Sequence, residues 1–258
     1  MNAVIAGIGL VMPGVDGWEQ ARKVLSGKAV DLGQSLPAMA RNLLPANERR
    51  RTTRLIQMAL HVAEQALEGL PGDFSSVFAS SCGDLEIVDK IMSALTLPGK
   101  PVSPTQFHNS VHNAPAGYWS ILAGSNMPST SISAWNESFS AGLVEALSQL
   151  GTEHHSVLLV SYDLPGPQRL HKHRPVCQPF ATALLLTTRE EGPALKLAVE
   201  PPGYAQVSTL DEPGWEALRK DNPAARSLPL LQQLARGKPG RIFLPYTSGQ
   251  LLRVDLEP

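Results

Sequence analysis

Residues 129–142 read Ser-Thr-Ser-Ile-Ser-Ala-Trp-Asn-Glu-Ser-Phe-Ser-Ala-Gly. The pattern predicts a short strand running into a turn, followed by a helix over 137–150. Such a turn exposes one side chain at the amino end of a helix, where free backbone N–H groups favour negative charge, and enzymes place nucleophiles there. Here the turn carries Trp135, Asn136 and Glu137, with no thiol and no serine in an activated setting. The junction has the shape of an active site but lacks the nucleophile.

Other reactive side chains are scattered. Cys82 falls at a second strand-to-helix turn, where a helix start can lower a thiol pKa; a lone cysteine also reads as a small buried hydrophobe. His108 and His112 have the i, i+4 spacing of a metal-binding helix face, but their segment is expected to precede a helix, and no Cys, Asp or Glu stands beside them to complete a ligand set. Hydrogen bonds to loop backbone are the plainer expectation, and no metal is expected. Ser110 and His112, two apart in an extended segment, diverge from one backbone. Arginines at 49, 50, 51 and 54, and the run Arg169, His171, Lys172, His173, Arg174, are basic and fit either solvated loops or an acidic partner. Gly7-Ile8-Gly9 lacks the third glycine of a dinucleotide fingerprint and Pro13 sits where its helix should open, so no cofactor is expected.

Hydrophobic periodicity supplies the elements that position these residues. Residues 3–11 are almost continuously apolar, as in a central parallel strand covered on both faces, and Gly7 and Gly9 leave room for close backbone approach. Helices are predicted over 18–25, from Arg54 through Leu67 with Leu55, Met58, Ala59, Val62, Ala63 and Ala66 on one stripe, over 84–95 with Asp84 as cap, and over 114–123. Strands are predicted over 75–81 and 156–162. An antiparallel pair is predicted from 180–187 and 194–200, turning at 190–192. Signals weaken after Pro201-Pro202, leaving helices near 215–219 and 228–236 and a last strand over 241–244. The alternation implies an α/β layer structure with a mixed central sheet and helices on both faces.

With 258 residues, 43% hydrophobic and 17% charged, the chain can bury a sizeable core. A net charge of −1 argues against a nucleic-acid partner held by bulk electrostatics. No apolar run approaches the roughly 18 residues of a membrane span. The apolar start lacks a basic leader and reads as a strand, not a signal peptide. Two cysteines, Cys82 and Cys177, form no disulfide framework or zinc spacing, which fits a reduced, cytoplasmic setting.

Three stretches resemble a known family. Ala6-Gly7-Ile8-Gly9-Leu10-Val11, Leu44-Pro45-Ala46-Asn47-Glu48-Arg49-Arg50 and the run Ser103-Pro104-Thr105-Gln106-Phe107-His108-Asn109-Ser110-Val111-His112-Asn113-Ala114-Pro115-Ala116-Gly117 look like the amino-terminal half of a β-ketoacyl-acyl-carrier-protein synthase. The resemblance implies a thiolase-like fold over residues 1–200. Residues 201–258 are then an extension, or a truncated remnant of the family's second half, packed on the same domain. Counting from Ala116-Gly117 places the family's nucleophile at Asn136, or at Glu137 with a one-residue slip. The motifs carrying the family's two catalytic histidines are not found in the sequence. A carboxamide cannot form the thioester that condensation requires.

The resemblance narrows to chain-length-factor-like subunits, inactive homologues that pair with an active ketosynthase in type II polyketide or fatty-acid systems. Short members look similar to those of aryl polyene clusters. It implies a non-catalytic partner that stabilises a heterodimer and shapes its acyl tunnel, meeting acyl carrier protein through the complex. The expected dimer seam and tunnel wall comprise Phe107, His108, His112, Ser131, Ile132, Ser133, Trp135, Asn136, Glu137 and Phe139. Half a fold should also leave apolar surface for a partner. Two alternatives remain open: an independent thioesterase or acyltransferase using Cys82 or Ser110/His112, and a carrier-protein docking module using Arg169, Lys172 and Arg174 or the arginines near 49–54.

Overall fold

The computed structural model describes residues 1–27, 31–39, 44–68, 74–151, 155–188 and 192–257. One mixed sheet organises them. Its strands are β1 (Asn2–Met12), β2 (Val15–Asp16), β3 (Ser75–Ala79), β4 (Ser129–Ile132), β5 (Ser156–Asp163), β6 (Phe180–Thr187), β7 (Ala194–Glu200), β8 (Gly240–Pro245) and β9 (Leu251–Glu257). They lie in the order β4-β3-β5-β6-β1-β7-β9-β8, with β2 folded back on β1. Only β4-β3 and β3-β5 are parallel; the remaining pairs are antiparallel.

The sheet differs from the sequence expectation at two points. β1 is central but antiparallel to both neighbours, β6 and β7. An unbroken apolar run reports burial on both faces and says nothing of direction. β6 and β7 do not form a hairpin, because β1 lies between them. Residues 190 and 191 of the proposed turn lie outside the described residues.

Helices cover both faces. On one side, α3 (Arg54–Ala66) and α6 (Ala114–Ala123) pack on the sheet through Met58, Val62, Tyr118 and Trp119, against Phe78, Leu158, Val160 and Tyr162. Thr53 caps α3 by accepting from the Ile56 N–H. On the other side lie α1 (Trp18–Leu25), α7 (Ser138–Gln149), α8 (Pro213–Asp221) and α9 (Leu228–Arg236), which share a core with Val77, Leu159, Leu184 and Leu252. Two glycines set the spacing. A Cβ on Gly9 would stand 2.0 Å from the Val62 carbonyl oxygen of α3, and one on Gly142 would stand 2.8 Å from Ala79 Cβ. Short α2 (Ala46–Arg49), α4 (Leu85–Leu95) and α5 (Pro104–Asn109) complete the helices among the described residues. Asp84 caps α4 by accepting from the Ile87 N–H at 3.1 Å.

Residues 201–257 add to the same sheet. β9 pairs along the whole of β7, and β8 pairs with β9. Leu252, Val254 and Leu256 face the core, while Arg253 and Asp255 alternate outward into ion pairs with Glu200 and Arg241. Between α8 and α9 a 3-10 turn, Ala224–Ser227, packs against α7 and the ends of β5 and β6.

Candidate functional site at the β4–α7 junction

β4 is the edge strand of the sheet, pairing Ser131 with Phe78 and Ile132 with Ala79 of β3. Ser133 ties its end to β3 by donating to the Ser81 carbonyl at 2.9 Å. The chain then turns through a 3-10 segment, Trp135–Glu137, directly into α7. Ser138 closes the turn: its hydroxyl accepts from Ala134 N–H at 3.0 Å and donates to the Trp135 carbonyl at 2.7 Å. Trp135 has φ +54°, in the left-handed region that favours glycine. The strained residue of the turn is therefore Trp135, one before the position that counting assigns to the nucleophile.

Arg174, on the connection from β5 to β6, lies beneath this turn. Its guanidinium is 4.2 Å from the Trp135 ring centroid, and Nη1 donates to Asn136 Oδ1 at 2.8 Å. Only 6% of Arg174 is exposed, and neither Nε nor Nη2 has a hydrogen-bond partner. Arg174 is thus not a docking residue on a basic surface loop. The basic run from 169 to 174 looked solvated because its other members are polar, but its last cation turns inward under Trp135.

Asp163, at the end of β5, is buried nearby. Its Oδ1 accepts from Ser80 Oγ at 3.0 Å, Ser81 N–H at 2.9 Å and Ser81 Oγ at 2.7 Å, while Oδ2 has no partner. Burial pushes its carboxyl up to about 6, against the opposing pull of the Ser81 and Ser80 donors and the Arg174 charge. Asn222 donates to the carbonyls of Asp163 (3.0 Å) and Gln178 (2.8 Å), bringing the 201–257 segment to the same end of the sheet. Arg226, from the turn after it, is held below the usual guanidinium range by burial and by Arg219 and Arg174, with the Glu137 carboxylate opposing.

The other expected residues divide. Ser131, Ile132, Asn136 and Glu137 are half-buried, while Ser133 is exposed and Trp135 is 55% exposed, all at the edge or the turn. Phe139 does not line a seam: it is wholly buried in the α7-side core with Leu143 and Leu159. Its place two residues after the turn puts it on the inner face of α7. Phe107 is exposed on α5, a helix where an irregular segment was expected, started by Ser103 and Pro104. His108 is exposed with its ring edge-on to Tyr118, and His112 donates from Nε2 to the Ser80 carbonyl at 3.0 Å. Among the described residues no group of three His, Cys, Asp or Glu could hold a metal. Arg169 pairs with Asp89 of α4 at 2.7 Å, and Lys172 is exposed. Cys82 is half-buried just after β3, and burial together with Asp221 pushes the Cys177 thiol up to about 11.

On α4, α5, α6 and their connections, apolar side chains reach the surface. Val88, Met92 and Leu95 on α4, Leu97 just after it, Phe107 on α5, Val111, and Ile121 on α6 are all exposed. Among the described residues no helix is long and apolar enough to cross a membrane.

Sequence reasoning named Arg174 only as a docking residue and did not single out Arg226. Their only sequence signal is a cation in a connection, which most surface loops also carry.

Among the solved structures similar across 99% of this chain and 99% of theirs are three that show the range. One is a chain of the ketosynthase ApeO in complex with its chain length factor ApeC, from Xenorhabdus doucetiae, at TM-score 0.78 and 24% identity. The others are the ishigamide ketosynthase/chain length factor (0.74, 15%) and a beta-ketoacyl synthase from Burkholderia phymatum STM815 (0.72, 11%). At these identities the likeness carries the fold, which is thiolase-like. No curated protein matches the chain in sequence. The family described as "Beta-ketoacyl synthase, N-terminal domain" matches residues 18–243, most of the chain. With that match added to the edge strand, the strained turn and the helix that follows it, the chain belongs to the β-ketoacyl synthase N-terminal domain family.

Proposed function

We propose that the protein is a non-catalytic, chain-length-factor-like partner of an active β-ketoacyl synthase in type II polyketide or fatty-acid biosynthesis, of the aryl polyene kind. It stabilises the heterodimer and shapes the acyl tunnel, and it meets acyl carrier protein through the complex. The observation that carries the reading is the content of the β4–α7 turn. On the count from Ala116-Gly117, the turn expected to hold the family's thiol carries Trp135, Asn136 and Glu137, with Arg174 packed against them. None of these side chains can form and release a thioester.

The surroundings favour a partner. The turn follows an edge strand, and unpaired strand edges are templates for another chain. Exposed apolar residues lie on α6, which contacts β4, and on α4 and α5, which contact each other, and such surface suits an interface. The solved complex of ApeO with ApeC is a ketosynthase held by its chain length factor in a similar fold. An interface of this kind buries on the order of 2,000 Å² or more.

The alternative readings find little support. His112, the histidine closest to the Cys82–Gly83 turn, spends Nε2 on a backbone carbonyl. In the proposed docking run Arg174 is buried and Arg169 is already paired. Co-expression with a full-length ketosynthase should give a heterodimer on gel filtration. Two separate species at micromolar concentration would sink the proposal. Trp135→Ala should lengthen the products of the complex if the turn bounds the tunnel, and an unchanged length distribution would leave a supporting role alone.

A further inference from the structure

The sheet ends on β4 at one side and β8 at the other, and the two outer edges differ. Pro128 and Ile132 turn their carbonyls towards β3, accepting from the Ser76 and Ser80 N–H groups at 3.0 and 3.2 Å. Backbone direction alternates along a strand, so Ser129 and Ser131 turn their N–H and C=O groups outward. Neither takes a backbone bond on that side among the described residues. Such an edge is a template for another strand.

β8 lies equally at the margin of the sheet, but its edge is occupied. Phe243 stands opposite Arg253 of β9 and turns its backbone groups away from that strand, where Ser208 meets them. Ser208 N–H donates to the Phe243 carbonyl at 2.9 Å, and Phe243 N–H donates to Ser208 Oγ at 2.9 Å. A neighbouring strand would engage Phe243 by the same exchange, one bond given and one taken. Ser208 supplies its acceptor from the side chain, so it fills one pairing position without continuing as a strand. Arg241 and Pro245 share the outward direction of Phe243, and Pro245 has no N–H to offer. Just before β8, Pro239 also lacks an N–H, and the carbonyls of Lys238 and Pro239 accept from Gln233 Nε2 at 2.9 and 3.2 Å.

Ser208 reaches β8 on a strap between β7 and α8 that has neither strand nor helix. From Pro201 to Thr209 no residue of it is fully buried. Leu210 anchors its far end in the core and donates its N–H to Glu216 Oε2 at 3.1 Å, while the Tyr204 ring lies 6.0 Å from that of Phe243. The strap adds little to the core before Leu210, and the two bonds of Ser208 tie it to the sheet.

We infer that this strap is an autoinhibitory contact: Ser208 occupies the edge of β8 and keeps it from pairing with β8 of a second copy of this chain. The sheet is left with one end that accepts another strand. With both ends open, copies would add edge to edge without closing into a finite assembly. The inference concerns β8 alone, and its failure would leave the heterodimer proposal standing.

The test is the assembly state of the full chain over the micromolar range, followed by sedimentation velocity, with circular dichroism to check folding. Ser208→Pro removes both the donor and the side-chain acceptor, and should self-associate at a concentration at least tenfold below that of wild type. Adding Arg241→Pro removes an outward donor of β8 without breaking a bond to β9, and should restore the wild-type assembly state. Ser208→Ala keeps the N–H bond and frees only the Phe243 donor, so it should lie between the two, and it decides the matter if the proline variant does not fold. An assembly state like that of wild type in the Ser208 variants overturns the inference. Association of Ser208→Pro that survives Arg241→Pro also overturns it, because the contact then lies elsewhere.

Discussion

The Arg174 guanidinium packs against the Trp135 indole at 4.2 Å and holds the neighbouring Asn136 side chain at 2.8 Å. Residues in the left-handed region cost on the order of 1–3 kcal/mol unless glycine occupies them. A cation–π contact and a charge-assisted hydrogen bond together offset a strain of that size. Arg174 therefore acts as a positioning residue for the turn: it fixes which side chain the edge-strand junction presents.

Replacing Arg174 with Met keeps much of its volume and removes both contacts. Because a buried, half-satisfied guanidinium contributes little net stability, unfolding free energy should change by only about 1 kcal/mol. Asp163 should respond more strongly. The Arg174 charge lowers its pKa, so the variant's carboxyl should titrate above about 6. Comparing the pH dependence of unfolding in the two proteins measures this, and an unchanged midpoint would show that Arg174 does not act on Asp163.

Asp163 itself sets a pH dependence of known sign. Its folded pKa of about 6 is above the ordinary 3.8, so the folded state holds a proton that the unfolded chain has released between those values. Stability contributed by this group is greatest near pH 4 and is lost as pH rises through about 6, by about 3 kcal/mol at 1.36 kcal/mol per unit. Asp163→Asn keeps an oxygen for the Ser80 and Ser81 donors and removes the titration. Chemical denaturation at pH 4 and pH 7 should show the variant gaining about that amount on the wild type at the higher pH; parallel profiles would rule out a buried ionising Asp163.

Gly9 and Gly142 test the layer spacing. Alanine at Gly9 meets the α3 backbone at 2.0 Å, where no side chain can give way, and should cost more than about 3 kcal/mol. Alanine at Gly142 meets Ala79 Cβ at 2.8 Å and Leu159 Cδ1 at 2.9 Å, and should cost about 1–3 kcal/mol. Thermal or urea unfolding of the two variants should rank them in that order.

The exposed apolar side chains of α4 and α6 predict a separation of binding from folding. Met92→Asp and Ile121→Asp lie on exposed positions, so the isolated chain should unfold within about 0.5 kcal/mol of wild type. Heterodimer formation with a ketosynthase should fall at least tenfold, read by gel filtration or pull-down. Intact pairing in both variants would move the interface elsewhere.

Much of the fold is written in local pattern. The apolar stripe of α3, the Asp84 cap of α4 and the spans of α1, α6 and α9 follow from periodicity and capping, because a helix is specified by neighbours three and four residues away. The alternation in β9, with Leu252, Val254 and Leu256 against Arg253 and Asp255, is equally legible, although weak signals after residue 201 hid it. The family motifs and the turn's lack of a thiol were also readable in the sequence itself. What local pattern lacks is partnership. That β1 divides β6 from β7, and runs antiparallel to both, depends on hydrogen bonds between strands far apart in the chain. Phe139 enters the core and Trp135 stays at the surface because the turn into α7 rotates their side chains apart. Above all, Arg174 finds Trp135 and Asn136 across 38 residues of chain, and Arg226 arrives from further still. A cation in a loop has the same sequence signature whether it meets water or a buried indole, so only packing decided that this one lies beneath the junction.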